Sequence, residues 1–382
     1  MIWHVLDVRA VWIKEFAAAL AAQTPTLGWL PQITATGMFR SSEQEVMWAD
    51  PALRVRHFPL QRGFAKFPVR LIAREAERIS RRLLRHTEIP RESVLICSSP
   101  HYAPVADKWP GHVIYYVTDL FVAYGGKPKL IKGLERRLCA AADLVCPNSQ
   151  RIAEYLIAEA HCAPDKVSII PNATRREHAI SQTESQMRAS TCDEVKDLDR
   201  PVAGVIGNLA SNTEWLLLED VIERNKWISW IFVGPTNMTV SDARQREARE
   251  RLQRRRDRVR FVGEKPYAHL KDYARAIDVA ILPYRKCEPT YSGSSTRFYE
   301  HLAAGRPMIA TRGFEELLHK EPFLRLVDSA DEMTQALEDL RASDFRDGRE
   351  DFRRLASQTE TWDVRAAAMK SALEARMAHQ RV

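Results

Sequence analysis

The sequence predicts an α/β protein of two doubly wound domains, each a mainly parallel sheet covered by helices. Strand-like apolar runs alternate with helical patterns along the chain, as expected of βαβ units. The chain has 382 residues, which is more than one hydrophobic core usually organises. The alternation is interrupted once, by a polar interval at residues 174–200 that carries no convincing strand. Two successive domains joined by a linker follow from these observations.

The first domain is placed at residues 1–175 and the linker at 176–200. Apolar runs predict strands at residues 2–8, 26–30, 53–58, 94–98, 112–117, 144–147 and 167–170. Helical periodicity predicts intervening helices at residues 14–23, 69–86, 130–142 and 149–160. The N-terminus lacks the basic and apolar regions of a signal peptide and is interpreted as the first strand.

The second domain is placed at residues 201–350, where the alternation restarts. Its predicted strands are residues 202–206, 228–233, 258–262, 279–282, 308–310 and 324–327. Its predicted helices are residues 214–224, 241–256, 268–276, 295–304 and 330–342. A continuous helical pattern over residues 351–380 forms a C-terminal helix within 351–382, which either packs on the second domain or crosses back to the first.

Composition restricts the function classes. The 45% hydrophobic and 28% charged residues are typical of a folded domain, and no apolar run reaches the ~20 residues of a membrane-spanning helix. Six scattered cysteines form no C-x-x-C pair, so we expect reduced thiols in the cytoplasm. No His or Cys cluster has ligand spacing, so no metal site is expected. The net charge of +7 favours an anionic partner, which could be nucleic acid, a lipid surface or a phosphorylated substrate.

The most informative segment is residues 281–311, which predicts a strand, a small polar loop, a helix, a tight turn and a strand. The loop Ser-Gly-Ser-Ser-Thr at 292–296 leads into the helix, so its unpaired backbone N–H groups and the positive helix end predict an anion site. Arg297 in the first turn can add a fixed charge for a diphosphate. Glu300, one turn further on, can accept two hydrogen bonds from a ribose diol.

This segment resembles the glycosyltransferase group 1 family, whose members carry a small-residue loop, a basic residue and a Glu before an alanine-rich helix that ends in Gly-x-Pro. The resemblance implies that Glu300 binds the ribose of a nucleotide and that Arg297 binds its diphosphate. Many members carry an earlier acidic residue that helps hold the sugar; Glu288 is not in register with it and is given no role. The implied fold is GT-B, with two Rossmann-like domains that face an inter-domain cleft.

Further segments match the donor domain of that family in order and spacing, over about residues 200–315. Residues 202–208 resemble its first strand, and residues 230–235, 259–263 and 273–279 follow in the expected order. Residues 169–173 resemble its Pro-Asn-Gly entry, with Ala173 in place of Gly. The donor-binding residues implied are Gly207, Asn208, Gly234, Tyr284, Ser294, Ser295, Thr296, Arg297 and Glu300.

In the first domain we look for a carboxylate that can take a proton from an acceptor hydroxyl. Asp119 follows the apolar strand 112–117 and is the candidate base. The segment resembles bacterial exopolysaccharide glycosyltransferases, including xanthan-type glucuronosyltransferases, in which the corresponding Asp is the proposed base. If configuration is retained, Asp119 would orient the acceptor instead; an ordinary helix-capping Asp is the alternative. His101 is the second catalytic candidate, and Arg9 could contact the acceptor or the pyrophosphate.

Eleven Lys or Arg stand against three Asp or Glu over residues 54–91, interleaved with His57, Phe58, Phe64 and Phe67. This pattern favours an anionic membrane surface, with a solvated helix face as the alternative. The basic run at 244–260 alternates with acidic residues and predicts a solvated amphipathic helix.

Together these features predict a metal-independent, hexosyltransferase-type glycosyltransferase at the cytoplasmic face of the cell membrane. Its substrates would be a nucleotide sugar, with a UDP sugar favoured, and a glycan or lipid-linked acceptor of cell-surface glycan synthesis. No bound cofactor and no nucleic acid partner are expected. A nucleic-acid-binding basic protein and a sugar-nucleotide epimerase of the same architecture remain alternatives.

Overall fold

The computed structural model describes residues 1–34, 53–85, 92–124, 127–179, 192–255 and 257–380. The chain divides into two compact units. The first consists of Met1–Pro171 and Trp362–Val382, and the second of Asn172–Thr361. Both units are α/β, as the sequence predicts.

The first unit contains a six-stranded parallel sheet. Its strands are β1 (Trp3–Leu6), β2 (Thr26–Thr34), β3 (Arg54–Gln61), β4 (Val94–Cys97), β5 (His112–Val117) and β6 (Leu144–Pro147). Its helices are α1 (Val11–Ala21), α2 (Val69–Arg85), α3 (Ala103–Ala106), α4 (Pro128–Ala141) and α5 (Gln150–Ala158). The central strands are buried because helices cover both faces of such a sheet.

The second unit repeats this plan with another six-stranded parallel sheet. Its strands are β7 (Val202–Ile206), β8 (Ser229–Val233), β9 (Val259–Gly263), β10 (Val279–Leu282), β11 (Met308–Thr311) and β12 (Arg325–Val327). Its helices are α6 (Arg176–Ala179), α7 (Asp193–Lys196), α8 (Trp215–Arg224), α9 (Ala243–Arg254), α10 (Leu270–Ala276), α11 (Thr296–Ala304), α12 (Ala330–Ala342) and α13 (Glu350–Ser357).

The two sheets share one strand order. The first runs β3-β2-β1-β4-β5-β6 and the second runs β9-β8-β7-β10-β11-β12. In each sheet the chain first adds strands toward one edge and then returns to the middle to add strands toward the other edge. This switch falls between β1 and β4 in the first unit and between β7 and β10 in the second. Ligands of doubly wound sheets bind beyond the carboxyl ends of the strands at this switch point. The residues that follow these strands are therefore the first place to look for a site.

Two predicted elements differ from the structure. The strand expected at residues 167–170 is reduced to a single parallel bridge between Val167 and Val145, so the first sheet ends at β6. The continuous helix expected over residues 351–380 is wrong, because the chain breaks between α13 and α14 (Trp362–Gln380). At the break Thr361 forms a parallel bridge with Thr174, whose N–H donates to the carbonyl of Glu360 at 3.0 Å.

Helix α14 belongs to the first unit. It packs against α1 and β6, and Gln23 donates to the Asp363 carbonyl at 2.8 Å. Near its other end Arg376 pairs with Asp165 at 3.1 Å. No helix among the described residues is long and apolar enough to cross a membrane.

The basic segment of the first unit is only partly what the sequence predicts, and residues 86–91 of it lie outside the described residues. Helix α2 turns Ile72, Ile79 and other apolar residues toward the core, as its helical spacing predicts. Phe58 and Phe64 are buried against Tyr102 rather than placed at the surface. Phe58 and Phe64 are therefore not surface aromatics of the kind that the membrane interpretation of this segment requires.

The basic run of α9 is a solvated helix face, as predicted. Arg251 pairs with Glu219 at 2.6 Å, and Arg255 pairs with Glu223. All six cysteines are unbridged, and five of them are buried.

Candidate active site

Four of the predicted residues meet at the switch point of the second unit. Gly207 and Asn208 follow β7, Tyr284 follows β10, and Arg297 lies in the first turn of α11. The Arg297 guanidinium donates to the Asn208 carbonyl and lies over the Tyr284 ring, 5.0 Å from its centroid. The turn after β7 passes against the Arg297 side chain, since a Cβ on Gly207 would come within 2.4 Å of its Nε. The sequence predicted each residue, and the fold brings these four together.

The Arg297 side chain is buried, and no acidic residue in the described ranges neutralises its charge. Its side chain is only 8% exposed, and no Asp or Glu within the described ranges lies at ion-pairing distance from it. Its Nη1 atom is buried without a hydrogen-bond partner. Burial lowers the pKa of Arg297, yet an arginine stays protonated in proteins. A buried cation without an acidic partner is costly, and a bound anion at this position would offset that cost.

At the start of α11, more hydrogen-bonding groups are paired with protein atoms than the sequence predicts. Ser295 is the N-cap, and its Oγ accepts the Phe298 N–H at 3.3 Å and pairs with the Tyr284 hydroxyl at 2.8 Å. The Ser295 N–H, expected to be unpaired, donates to Oε2 of Glu316 at 2.8 Å. The Glu316 carboxylate thus binds one N–H donor of the predicted anion site. Among the described residues the N–H groups of Thr296 and Arg297 keep no protein acceptor, as is usual for a first helical turn.

Asn172 holds the loop before α11 in place through three hydrogen bonds. Its N–H donates to Ser294 Oγ at 3.1 Å, and its side-chain amide donates to the Ser294 carbonyl at 2.8 Å and to Thr296 Oγ1 at 3.1 Å. The Ser294 hydroxyl in turn donates to Glu316 at 3.2 Å. The hydroxyls of Ser294 and Thr296 are therefore engaged in shaping the loop. The sequence pointed to Asn172, because it belongs to the Pro-Asn motif. The sequence did not show that Asn172 contacts Ser294 and Thr296.

Glu300 is held by two residues that the sequence did not single out. Its Oε2 lies 2.6 Å from Nδ1 of His178, and its Oε1 accepts the hydroxyl of Tyr267. Burial alone would raise the pKa of Glu300, but the His178 imidazole and the Tyr267 hydroxyl bring it below its ordinary value. The carboxylate is therefore ionised. No local motif marks His178 or Tyr267, because both reach α11 from distant parts of the chain.

Gly234 has a structural reason for its identity. A Cβ on Gly234 would come within 1.9 Å of the Gly207 carbonyl oxygen, and its φ of +153° lies in the region that favours glycine. The Gly207 N–H also donates to the Val233 carbonyl at 2.8 Å. Gly234 thus lets the turn after β7 pass close over the end of β8.

The switch point of the first unit carries an ion pair. Asp7, which follows β1 with a φ of +70°, accepts Nε and Nη2 of Arg9 at 2.6 and 2.5 Å. The Tyr102 hydroxyl, which comes from beyond β4, donates to the same carboxylate at 2.9 Å. The sequence proposed Arg9 but missed Asp7 and Tyr102, because their proximity depends on the pairing of β1 with β4.

The two catalytic candidates have different surroundings. His101 is 9% exposed, and its Nδ1 pairs with Ser99 Oγ at 3.1 Å. Burial lowers the pKa of His101, which keeps the imidazole neutral near pH 7. Asp119 lies just beyond β5, and its oxygens accept the hydroxyls of Thr118 at 3.2 Å and Tyr124 at 3.1 Å. Burial raises the pKa of Asp119 to about 6.

This value suits general base catalysis, because a carboxylate with that pKa is mostly ionised at neutral pH and more basic than an ordinary Asp. Asp119 is therefore the better supported of the two candidates. Within the part of the chain that the structure describes, no group of three His, Cys, Asp or Glu side chains could hold a metal ion.

Comparison with known proteins identifies the second unit. Residues 200–343 match the family model described as glycosyl transferases group 1. The second unit is thus similar to group 1 glycosyltransferases over these residues. This stretch contains the Gly207 turn and Arg297, so the sequence-based recognition of the family is confirmed.

A curated relative of this chain is the putative teichuronic acid biosynthesis glycosyltransferase TuaH of Bacillus subtilis. The two are 24% identical over 211 residues, which make up 52% of this chain and 50% of the relative. The match thus spans about half the length of that relative.

Solved structures show the fold. Sucrose-phosphate synthase from Thermosynechococcus elongatus has a TM-score of 0.75 at 15% identity, over 99% of this chain and 100% of that one. Anabaena HepE, in complex with UDP and glucose, has a TM-score of 0.66 at 12% identity, over 98% and 99%. A glycosyltransferase from Rickettsia africae has a TM-score of 0.67 at 12% identity, over 98% of both chains. The two-domain GT-B fold predicted from the sequence is confirmed.

Proposed function

We propose that this protein transfers a sugar from a nucleotide-diphosphate sugar to a hydroxyl acceptor. The observation that carries the proposal is the buried charge of Arg297 at the switch point of the second sheet, which has no acidic partner among the described residues. A diphosphate would supply the missing anion. Glu300 lies one turn along the same helix, where an ionised carboxylate can accept the hydroxyls of the nucleotide ribose.

Arg297 and the free N–H groups at the start of α11 would stabilise the charge that develops on the departing diphosphate. The proposed reaction therefore draws its positive charge from the protein and needs no bound metal. We favour a UDP sugar as donor, in keeping with the UDP held by Anabaena HepE, a protein of similar fold.

In the first unit, Asp119 would take the proton from the acceptor hydroxyl as the bond to the sugar forms, if the reaction inverts configuration. In a retaining reaction Asp119 would orient the acceptor instead. His101 is assigned a lesser part because its imidazole is buried and neutral.

The acceptor we propose is a lipid-linked or polysaccharide intermediate of cell-surface glycan synthesis, reached at the cytoplasmic face of the membrane. The similarity to a teichuronic acid glycosyltransferase supports this choice. Helix α2 supports it as well, because Arg70 and Arg74 are exposed beside Leu71, which is 47% exposed. Exposed cations and leucines on one helix suit an anionic lipid surface.

The proposal is tested by thermal shift with UDP, GDP and ADP sugars, using the wild type, Arg297→Ala and Glu300→Ala. At a concentration 100 times Kd, a ligand should stabilise the fold by about 2.7 kcal/mol. One nucleotide should stabilise the wild type and neither variant, while Arg251→Ala, which removes an exposed arginine, should respond like the wild type. Stabilisation by nucleic acid and by none of the nucleotide sugars would overturn the proposal.

A further inference from the structure

Two side chains fix the two oxygens of the Glu300 carboxylate separately. His178 Nδ1 contacts Oε2 at 2.6 Å, and the Tyr267 hydroxyl donates to Oε1. An ionised carboxylate can only accept hydrogen bonds, so His178 must carry its proton on Nδ1. His178 is 2% exposed and Tyr267 is 6% exposed, so water does not compete for these contacts.

Both residues are themselves anchored. The His178 carbonyl accepts Nη2 of Arg275 at 3.1 Å, and the Arg175 guanidinium lies over the Tyr267 ring, 5.2 Å from its centroid. The His178 and Tyr267 rings lie 5.9 Å apart, centroid to centroid. The two donors are therefore held against different oxygens of the carboxylate.

We infer that His178 and Tyr267 are positioning residues that orient the Glu300 carboxylate, and that they thereby give the site its preference for ribose over 2′-deoxyribose. The inference rests on the proposed function, because it takes Glu300 as the group that binds the ribose.

The physical argument starts from the torsion at the end of a glutamate side chain, which is broad and weakly restrained. A carboxylate has about four lone-pair directions, two on each oxygen. His178 and Tyr267 use one on each oxygen, which fixes the carboxylate plane and leaves one acceptor direction per oxygen. A vicinal diol offers two donors at matching spacing. A carboxylate free to rotate would still attract a hydroxyl, but it would lose simultaneous contact with both.

The test compares the dissociation constants of UDP and 2′-deoxy-UDP by calorimetry on the full chain. Loss of one hydrogen bond to a charged group should weaken wild-type binding of the deoxy form by about tenfold or more. The ratio of the two dissociation constants should fall to about twofold in His178→Leu and Tyr267→Phe, a difference well below one such bond. His178→Asn places an amide donor near the original Nδ1 and should restore most of the ratio.

Tyr155→Phe is the matched control. Tyr155 also donates its hydroxyl to a buried glutamate, Glu135, but in the first unit. Its loss should leave the ratio at the wild-type value. A purely structural role of His178 or Tyr267 would weaken both ligands equally and would not change the ratio, so an unchanged ratio in both variants overturns the inference.

Glu300→Gln separates this inference from the proposed function. If Glu300→Gln keeps the wild-type ratio, or if the wild type binds no UDP, the proposed role of Glu300 fails and the inference fails with it. If Glu300→Gln abolishes the ratio while His178→Leu and Tyr267→Phe keep it, only the inference fails. Should His178→Leu not fold, Tyr267→Phe and His178→Asn carry the comparison.

Discussion

The two units have the same strand order, but the arginines at their switch points differ in whether an acidic residue neutralises them. In the second unit Arg297 is buried and has no acidic partner within the described chain. In the first unit Arg9 is paired with Asp7 through two hydrogen bonds. A carboxylate in each unit differs as well. His178 and Tyr267 lower the pKa of the buried Glu300, whereas desolvation raises the pKa of the half-buried Asp119 to about 6.

The comparison teaches that the fold fixes where a ligand binds, and that a few side chains decide what the ligand is. A buried cation without an acidic partner among the described residues suits a diphosphate. A carboxylate with a raised pKa suits proton transfer. On this basis we propose that the second unit binds the donor and that the first takes the proton.

The largest expected effect is that of Asp119→Asn. Loss of a general base should lower the rate of UDP release from the donor by about 10²–10⁴-fold. In the wild type this rate should rise as the pH passes through about 6, where Asp119 loses its proton. In Asp119→Asn that rise should disappear. Initial rates at pH 5 to 8 measure both, and a retained pH profile would exclude Asp119 as the base.

Arg297→Met should separate binding from stability. UDP affinity should fall by about 10–100-fold, the scale of one or two charge-assisted hydrogen bonds. The unliganded protein should be as stable as the wild type or more so, because an uncompensated buried charge is removed. Arg251→Met, at an exposed ion pair, is the control for both measurements. A large loss of stability without loss of affinity would show that Arg297 is structural.

Gly207→Ala tests the tight approach of the β7 turn to Arg297. Gly207 has a φ of +122°, and an added Cβ would lie 2.4 Å from Arg297 Nε. We expect a loss of about 2–3 kcal/mol in the free energy of unfolding, together with weaker UDP binding. Gly133→Ala is the matched control, since it lies in α4 with open space around its Cβ. It should be neutral or stabilise by up to about 1 kcal/mol.

The smallest effect concerns Glu135, a fully buried carboxylate of the first unit. Burial raises the pKa of Glu135 from 4.5 to about 7. The folded state therefore holds a proton that the unfolded state loses above pH 4.5, so this contribution to stability disappears as the pH rises toward 7. Between pH 5 and 7 the free energy of unfolding should fall by about 1–2 kcal/mol less in Glu135→Gln than in the wild type. Denaturant unfolding at both pH values measures it, and an unchanged slope would contradict the raised pKa.

The sequence predicted most of the fold and part of the site. Ten of the twelve strands overlap closely with apolar runs, because strands buried on both faces are continuously apolar. The other two, β2 and β3, extend beyond their predicted runs. The Ser295 cap, Arg297 and Glu300 lie within one local motif, so their spacing could be read directly. His178, Tyr267 and Glu316 could not, because they reach α11 from other elements and carry no pattern of their own. The break before α14 was missed for the same reason, since it depends on the pairing of Thr361 with Thr174.

The most direct test of the central claim is a calorimetric titration of UDP into Asp119→Asn and Arg297→Met. The division of roles between the units predicts that Asp119→Asn binds UDP within about twofold of the wild type, a difference well below one hydrogen bond. Arg297→Met should bind at least about tenfold more weakly. Undiminished binding by Arg297→Met, or loss of binding in Asp119→Asn alone, would contradict the assignment of the donor to the second unit.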